Sequence, residues 1–368
     1  MQIGKGIKRG LNAVIVSIYV FILLGVPSQS AWAEGDGELK ERIKKSVDQG
    51  LHWLRNNQQE NGSWSDNAGI TSLVVMAYMK SPRKYNEGDD PFVRKGIEFI
   101  MKNVRPDGSI YKEHPPSYNT ALAILALEST RNPRYKETIK KAQDFLIGHQ
   151  SDEEEGYMPS DKYYGGIGYG GDERPDLSNL QFAVEALRVS GVSIDNDVWE
   201  KAVKFISRSQ NRSESNDQPW AKDDGGFIYS PKETFVPDYV SYGSMTFAGI
   251  KSLIFSNVSK KDPRIQSAIE WVKKHYTVDE NPNFDHQALY YYYYTFAKAL
   301  SIYGEKGITT ADGVKHDWYR DLAEKLMSLQ SKEGYWVNTV NKFWEGNKDL
   351  VTAYAILAME TEYDSLKE

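Results

Sequence analysis

The sequence predicts an all-α protein in which six buried helices are ringed by six amphipathic ones. Three observations lead there. A short pattern of small residue, aromatic residue and glutamine recurs down the chain. A glycine turn follows nearly every copy, and a second, wholly apolar helix follows each turn. Repeats of roughly 20 to 50 residues usually mark a solenoid or a closed array.

The pattern is clearest at residues 49–64, where Gly50, Trp53 and Gln58 lead into Asn61-Gly62-Ser63-Trp64. The small or apolar position recurs at Gly96, Ala142, Ala202, Ala268 and Leu322. The aromatic recurs as Phe99, Phe145, Phe205 and Trp271, with Lys325 as the exception. The glutamine position holds Gln58, Val104, Gln150, Gln210, Tyr276 and Gln330. Turns through glycine are expected at Gly62, Gly108, Gly156, Gly225–Gly226 and Gly334, where glycine supplies a positive φ. The fifth unit turns instead through Glu280-Asn281-Pro282-Asn283.

The second helices are predicted over 71–79, 119–128, 178–189, 244–255, 287–302 and 350–359. They are apolar on nearly every side, so each needs burial all round. The first helices, such as 38–56 and 135–149, are rich in Lys and Glu and keep one face in water. An open superhelix is the competing arrangement. Closure into a ring is preferred, because the inner helices have no polar face to leave exposed.

Residues 1–33 read as a signal peptide. Lys5, Lys8 and Arg9 precede an apolar run from Leu11 to Val26, Pro27 breaks it, and Ala31-Trp32-Ala33 offers a cleavage site. An uncleaved anchor is the alternative, although the run is short for a membrane span. Export, periplasmic or secreted, is therefore expected, with 34–39 as a flexible start and 40–368 as the folded body. No cysteine is present, so no disulfide supports it. The whole chain has net charge −6, and the three leader charges are all positive. Nucleic acid is not an expected partner, since the basic clusters it requires are missing, and no second apolar run is long enough to span a bilayer. The sequence names no protein partner.

The repeat resembles the QW motif of squalene–hopene cyclases and of protein prenyltransferase β subunits: a basic residue, Gly, an aromatic, Leu and Gln, then Gly-x-Trp. Residues 49–64 match it apart from Gln49 in the basic position, and 95–110 match it partly. The likeness covers about 40–362. It implies an (α/α)6 toroid with a cavity opening near the inner-helix N-termini, and an apolar or isoprenoid small molecule as ligand. Full squalene–hopene cyclases have two such barrels, and this chain has room for one.

That resemblance also directs attention to carboxylates. The cyclases protonate an alkene with the middle Asp of an Asp-x-Asp-Asp-Thr-Ala motif. Here Asp176-Leu177-Ser178-Asn179 is the best match, with Ser178 in the proton donor's place, so the acid motif is not intact. The prenyltransferase zinc site needs a cysteine two residues after an Asp, and Asp238 is followed at that distance by Val240. No metal or cofactor is expected.

Asp176, Asp238 and Asp285 stand at inner-helix starts and are the candidate catalytic residues, with helix capping as the plain alternative. Tyr164, Tyr169, Asn179, Tyr242, His286, Tyr290 and Trp344 are candidate ligand contacts, since aromatic faces favour cations, apolar chains and sugars alike. The activity stays open among a cyclase-type isomerase, a transferase, a non-catalytic binding or scaffold toroid, and a polysaccharide-active toroid with two carboxylates as acid and base.

Overall fold

The computed structural model describes residues 35–170, 174–231 and 235–366. The expected leader lies outside them. From Asp36 onward the chain forms one compact unit.

Its helices come in outer–inner pairs. The outer helices are α1 (Asp36–Asn56), α3 (Pro91–Lys102), α5 (Lys136–Ile147), α7 (Val198–Arg208), α9 (Pro263–His275) and α11 (Trp318–Leu329). The inner ones are α2 (Ala68–Lys80), α4 (Pro116–Ser129), α6 (Leu177–Val189), α8 (Gly243–Phe255), α10 (Leu289–Tyr303) and α12 (Lys348–Ser365). One small antiparallel hairpin, β1 (Ile308–Thr309) with β2 (Lys315–His316), precedes α11. Each inner helix packs on the next, and α12 packs back on α2, so the ring is closed. The fold is the all-α toroid that the pattern predicted. Helix α1 starts at Asp36, inside the segment read as a flexible start.

The inner helices are apolar all round because they are covered all round. In α2 every residue from Ala68 to Tyr78 is buried. The outer helices bury one stripe only, such as Leu39, Ile43, Val47, Leu51 and Leu54 in α1.

What joins one pair to the next is the motif itself. The Gln58 amide donates to Gly62 O at 2.9 Å and to Phe92 O, in the first turn of α3, at 2.8 Å. Gln150 reaches Gly165 O and Val198 O, both at 3.0 Å. Gln210 reaches Gly225 O at 2.9 Å and Arg264 O at 2.7 Å. Gln330 reaches Gly334 O at 2.8 Å and Ser46 O, in α1, at 2.9 Å. One side chain thus ties its own turn to the following outer helix, and the last copy ties the end of the chain to its first helix.

The glycine is needed for the same reason. Gly165 has φ +84°, and a Cβ there would overlap the Lys201 carbonyl in α7. Gly62, Gly108, Gly225 and Gly334 sit equivalently on Lys95, Lys141, Ser267 and Gln49. Each of these carbonyls belongs to the residue just before the repeat's small position. Trp64 and Trp336 then fill the space beside Gly96 and Gly50, where a Cβ would overlap Val75 and crowd Trp64 at the first and overlap Trp336 at the second. Their indoles donate to Leu54 O and Leu326 O at 2.7 Å.

The third unit corrects the expected turn. Gln150 selects Gly165–Ile167 rather than Gly156, so residues 151–164 are an insertion ahead of the true turn. Buried Arg208 pins that insertion by donating to Pro159 O and Asp161 O, while pairing with Asp217.

Gln210→Ala removes the donor shared by one buried and one part-buried carbonyl and should cost about 2 kcal/mol, read from urea unfolding. Gly165→Ala should cost more than Gln150→Ala, because backbone strain adds to the overlap. Equal midpoints for that pair would contradict this account of the turn.

Candidate functional site: an aromatic cavity at the inner-helix N-termini

The inner helices begin at one end of the ring, and a cavity of about 570 Å3 opens there. Its wall is mostly aromatic and aliphatic: Tyr118, Tyr169, Tyr229, Tyr242, Tyr291 and Tyr354, with Ile70, Leu73, Met245 and Leu350. Phe235, Phe284, Phe343 and Trp344 add further rings. Such walls, with a few placed polar groups, are typical of small-molecule sites.

The floor is an aromatic layer. Phe182 and Tyr294 stack at 5.8 Å, and Tyr118 meets Phe182 edge-on at 5.0 Å. The Tyr118 and Tyr354 hydroxyls bond to each other. Beyond the floor lies a buried ion cluster. Lys251 Nζ is 2.6 Å from Glu185 and 5.0 Å from the Phe182 ring centre, and Lys298 joins Glu185 at 3.0 Å. Burial pushes the Lys251 amine down to about 8 against the pull of Glu185. Burial also opposes charge on Glu185, but Lys251, Lys298 and Lys80 together hold it well below the usual carboxylate range.

At the other end, each helix start needs its free N–H groups satisfied. Three helices do this with the residue that precedes them: Asn67 for α2, Asp176 for α6 and Asn347 for α12. Two are capped by a remote residue. Asn281 Oδ1 accepts from Ser244 N of α8 at 2.9 Å. Helix α10 follows Ala288, which has no capping atom and a left-handed φ of +50°. Glu345 takes that role, Oε1 accepting from Tyr291 N at 2.8 Å while Oε2 accepts from Asn338 Nδ2 at 2.6 Å.

Two carboxyls at this end are displaced strongly. Asp176 is 1% exposed. Burial pushes it up to about 7, although Asn179 N, the Asn179 amide and the Tyr229 hydroxyl all donate to it. Tyr229 in turn bonds Tyr169, so Asp176 communicates with the cavity through two phenols. Glu345, in the cavity wall, is also raised to about 7 by burial, against donation from Asn338 and from the first amides of α10.

The candidate residues therefore separate. Tyr169, Tyr242 and Trp344 line the cavity. Asp176 and Asn179 form the buried pair behind it. Ser178, in the proton donor's position of the cyclase motif, lines the wall beside the Tyr291 hydroxyl. Asp238 and Asp285 are exposed residues of left-handed turns and do not line the cavity. His286 is exposed as well and offers its backbone carbonyl to Asn338.

Tyr164, the last residue of the insertion, is buried with its hydroxyl on Glu153 and does not line the cavity. Tyr290 is buried edge-on against Tyr293, one residue away from the ring that reaches the cavity, Tyr291. The next two tyrosines donate outward, Tyr292 to Thr277 O and Tyr293 to Val278 O. Glu345, Tyr118, Tyr229, Tyr291 and Tyr354 are cavity residues that the sequence reading did not single out. For Tyr118 and Tyr291 the signal was an inner-helix start, Tyr354 lies one turn further into α12, and Tyr229 lies in the loop before α8. For Glu345 no local signal exists.

With this geometry in view, comparison with known proteins is specific. The squalene–hopene cyclase C-terminal domain profile matches residues 68–248. Over that stretch the chain is similar to squalene–hopene cyclases, the resemblance that the repeat suggested. Its toroid is similar to that of the type II terpene cyclase MstE from Scytonema, solved in complex with geranylgeranyl dihydroxybenzoate. The match has 12% identity and a TM-score of 0.57 over 89% of this chain and 99% of that one. It is similar also to Candida albicans protein geranylgeranyltransferase-I complexed with GGPP, at 13% identity and TM-score 0.51 over 87% and 90% of the two chains. A possible GH105 member from Salmonella enterica matches at 13% identity and TM-score 0.53 over 89% and 94%. At these identities the likeness is one of fold. Comparison with curated proteins by sequence gives no match. Among the described residues no helix is long and apolar enough to cross a membrane.

Asp176 thus serves as the cap of α6, while Ser178, two residues on, lines the cavity. Because the folded Asp176 titrates above its ordinary value, its contribution to stability is full below about pH 4. It is lost as pH rises through about 7. Asp176→Asn keeps a capping oxygen and removes this term. The variant should gain on the wild type by up to a few kcal/mol between pH 4 and pH 8, measured by denaturant unfolding at each pH. A pH-independent difference would contradict a buried, titrating Asp176.

Proposed function

We propose that this is an exported isoprenoid-binding toroid that holds its ligand in the aromatic cavity and does not initiate cyclisation by protonation. The observation that carries the reading is the pairing of an apolar, ring-lined cavity of about 570 Å3 with Ser178 where the cyclase motif has its acid. A serine hydroxyl cannot protonate an alkene. Asp176 is engaged by three donors and reaches the cavity only through phenols, which favours retention of a ligand over proton delivery to carbon. The isoprenoid ligands of the cyclase and transferase neighbours support the ligand class. The positively charged, apolar start of the chain supports export, and residues 34 onward would then work outside the cytoplasm.

The polysaccharide-active alternative needs two carboxylates facing one another across the site. Asp238 and Asp285 lie on exposed turns and do not supply that pair.

Purified protein equilibrated with a total lipid extract should retain an apolar ligand visible by native mass spectrometry. Ile70→Trp places a bulky ring in the cavity wall and should abolish that retention with little change in Tm. Cyclised product from squalene or a polyprenyl substrate would overturn the non-cyclising reading. Equal retention by Ile70→Trp would place the ligand elsewhere.

A further inference from the structure

The charge pattern of the cavity narrows its ligand further, and this step rests on the reading that the cavity holds an apolar molecule. Among the described residues that line it, none is Lys or Arg. The lining tyrosines Tyr118, Tyr229, Tyr242, Tyr291 and Tyr354 are held neutral, their phenols raised by burial. Among the same residues Glu345 is the one acidic side chain in the wall, and Asp176 stands behind it through Tyr229.

Lys342, at the rim, is already committed. Its Nζ donates to Gln287 Oε1 at 2.7 Å and lies over the rings of Phe235, Phe284 and Phe343 at 5.3 to 5.8 Å. A diphosphate or carboxylate head entering the cavity would thus lose water and meet ring faces and a carboxylate, an unfavourable exchange. A positive head meets the opposite: a carboxyl whose charged form its own charge would favour, and several electron-rich faces.

The loop that carries Glu345 is built to hold this arrangement. Asn338 bonds Glu345 through both backbone and side chain and reaches His286 O. The Asn341 side chain accepts from Gly346 N. Phe343 and Trp344, consecutive bulky residues, are both left-handed with φ of +58° and +66°, a conformation that costs energy and persists only where surroundings enforce it. The result sets Trp344, 63% exposed, in the cavity wall next to the buried carboxylate.

We propose that the cavity takes an amphiphile whose polar end is cationic, an isoprenoid or alkyl amine, with the ammonium seated between the Glu345 carboxylate and the face of Trp344. The Asn338 amide keeps the carboxylate aimed, and the aliphatic part lies against the inner helices.

Calorimetric titration with farnesylamine, farnesol and farnesyl diphosphate tests this. Farnesylamine should bind about tenfold more tightly than farnesol, with farnesyl diphosphate weakest. Glu345→Gln should bring farnesylamine down to the affinity of farnesol and leave farnesol unchanged. Trp344→Leu, at a mostly exposed position where folding is not at issue, should likewise shrink the amine's advantage. Farnesyl diphosphate binding as tightly as the amine would overturn the cationic head and leave the apolar-ligand reading standing. So would equal affinities for amine and alcohol that neither variant alters. Failure of all three compounds to bind would instead remove the apolar-ligand reading itself.

Discussion

Four of the six joints in this ring depend on a glutamine amide shared between two carbonyls. Gln58, Gln150, Gln210 and Gln330 each satisfy the glycine turn of their own unit and the start or body of the next outer helix. Because the turn glycine lies directly on a backbone carbonyl of that helix, no side chain fits between them. The distance from one pair to the next is therefore set by backbone against backbone, which does not drift with side-chain identity. The tryptophans and small residues that accompany the glutamine fill the space this close approach leaves. Consistency at each of these levels is what lets an all-helical chain choose one packing.

The same rigidity explains where the chemistry sits. With the outer turns fully committed, variation is left to the inner-helix starts and the loops above them. Two of those starts are finished by residues from elsewhere in the chain, Asn281 and Glu345. At the floor, the Lys251–Glu185 pair is sealed from the cavity by Phe182 and Tyr294. Buried pairs of this kind contribute little net stability but are costly to leave half made. The cavity thus has a fixed aromatic floor and an adaptable mouth.

Much of this was legible in the sequence. Five inner helices lie within three residues of the expected ends, because a run such as 120–127 has no polar side, while α12 runs six residues past its expected end at 359. The clamp was legible at Gln58, since its spacing to Gly62 matches one helix end and one turn. The third-unit turn was not, because Gly156 and Gly165 both follow Gln150 and only the bonds it makes separate them. Five consecutive tyrosines, Tyr290 to Tyr294, put rings on every side of α10, and their succession does not say which one meets the cavity. Each residue turns the side chain by about 100°, so the choice of Tyr291 depends on where the helix begins. Asp285 has the residue type of a cap and the wrong backbone, and Glu345, far along the chain from it, has the right position with no local sign of it.

The bond from Gln330 to Ser46 has a topological consequence. Linear helical-repeat proteins need specialised end units to cover the faces that stacking leaves bare. Here the last unit grips the first through the bond that Gln58, Gln150 and Gln210 make to their own neighbours, and α12 packs on α2, so among the described residues the stacked faces of the first and last units cover one another. Order along the chain and order around the ring are then separate properties. The peptide connection between any two units is one way among several of threading the same circle.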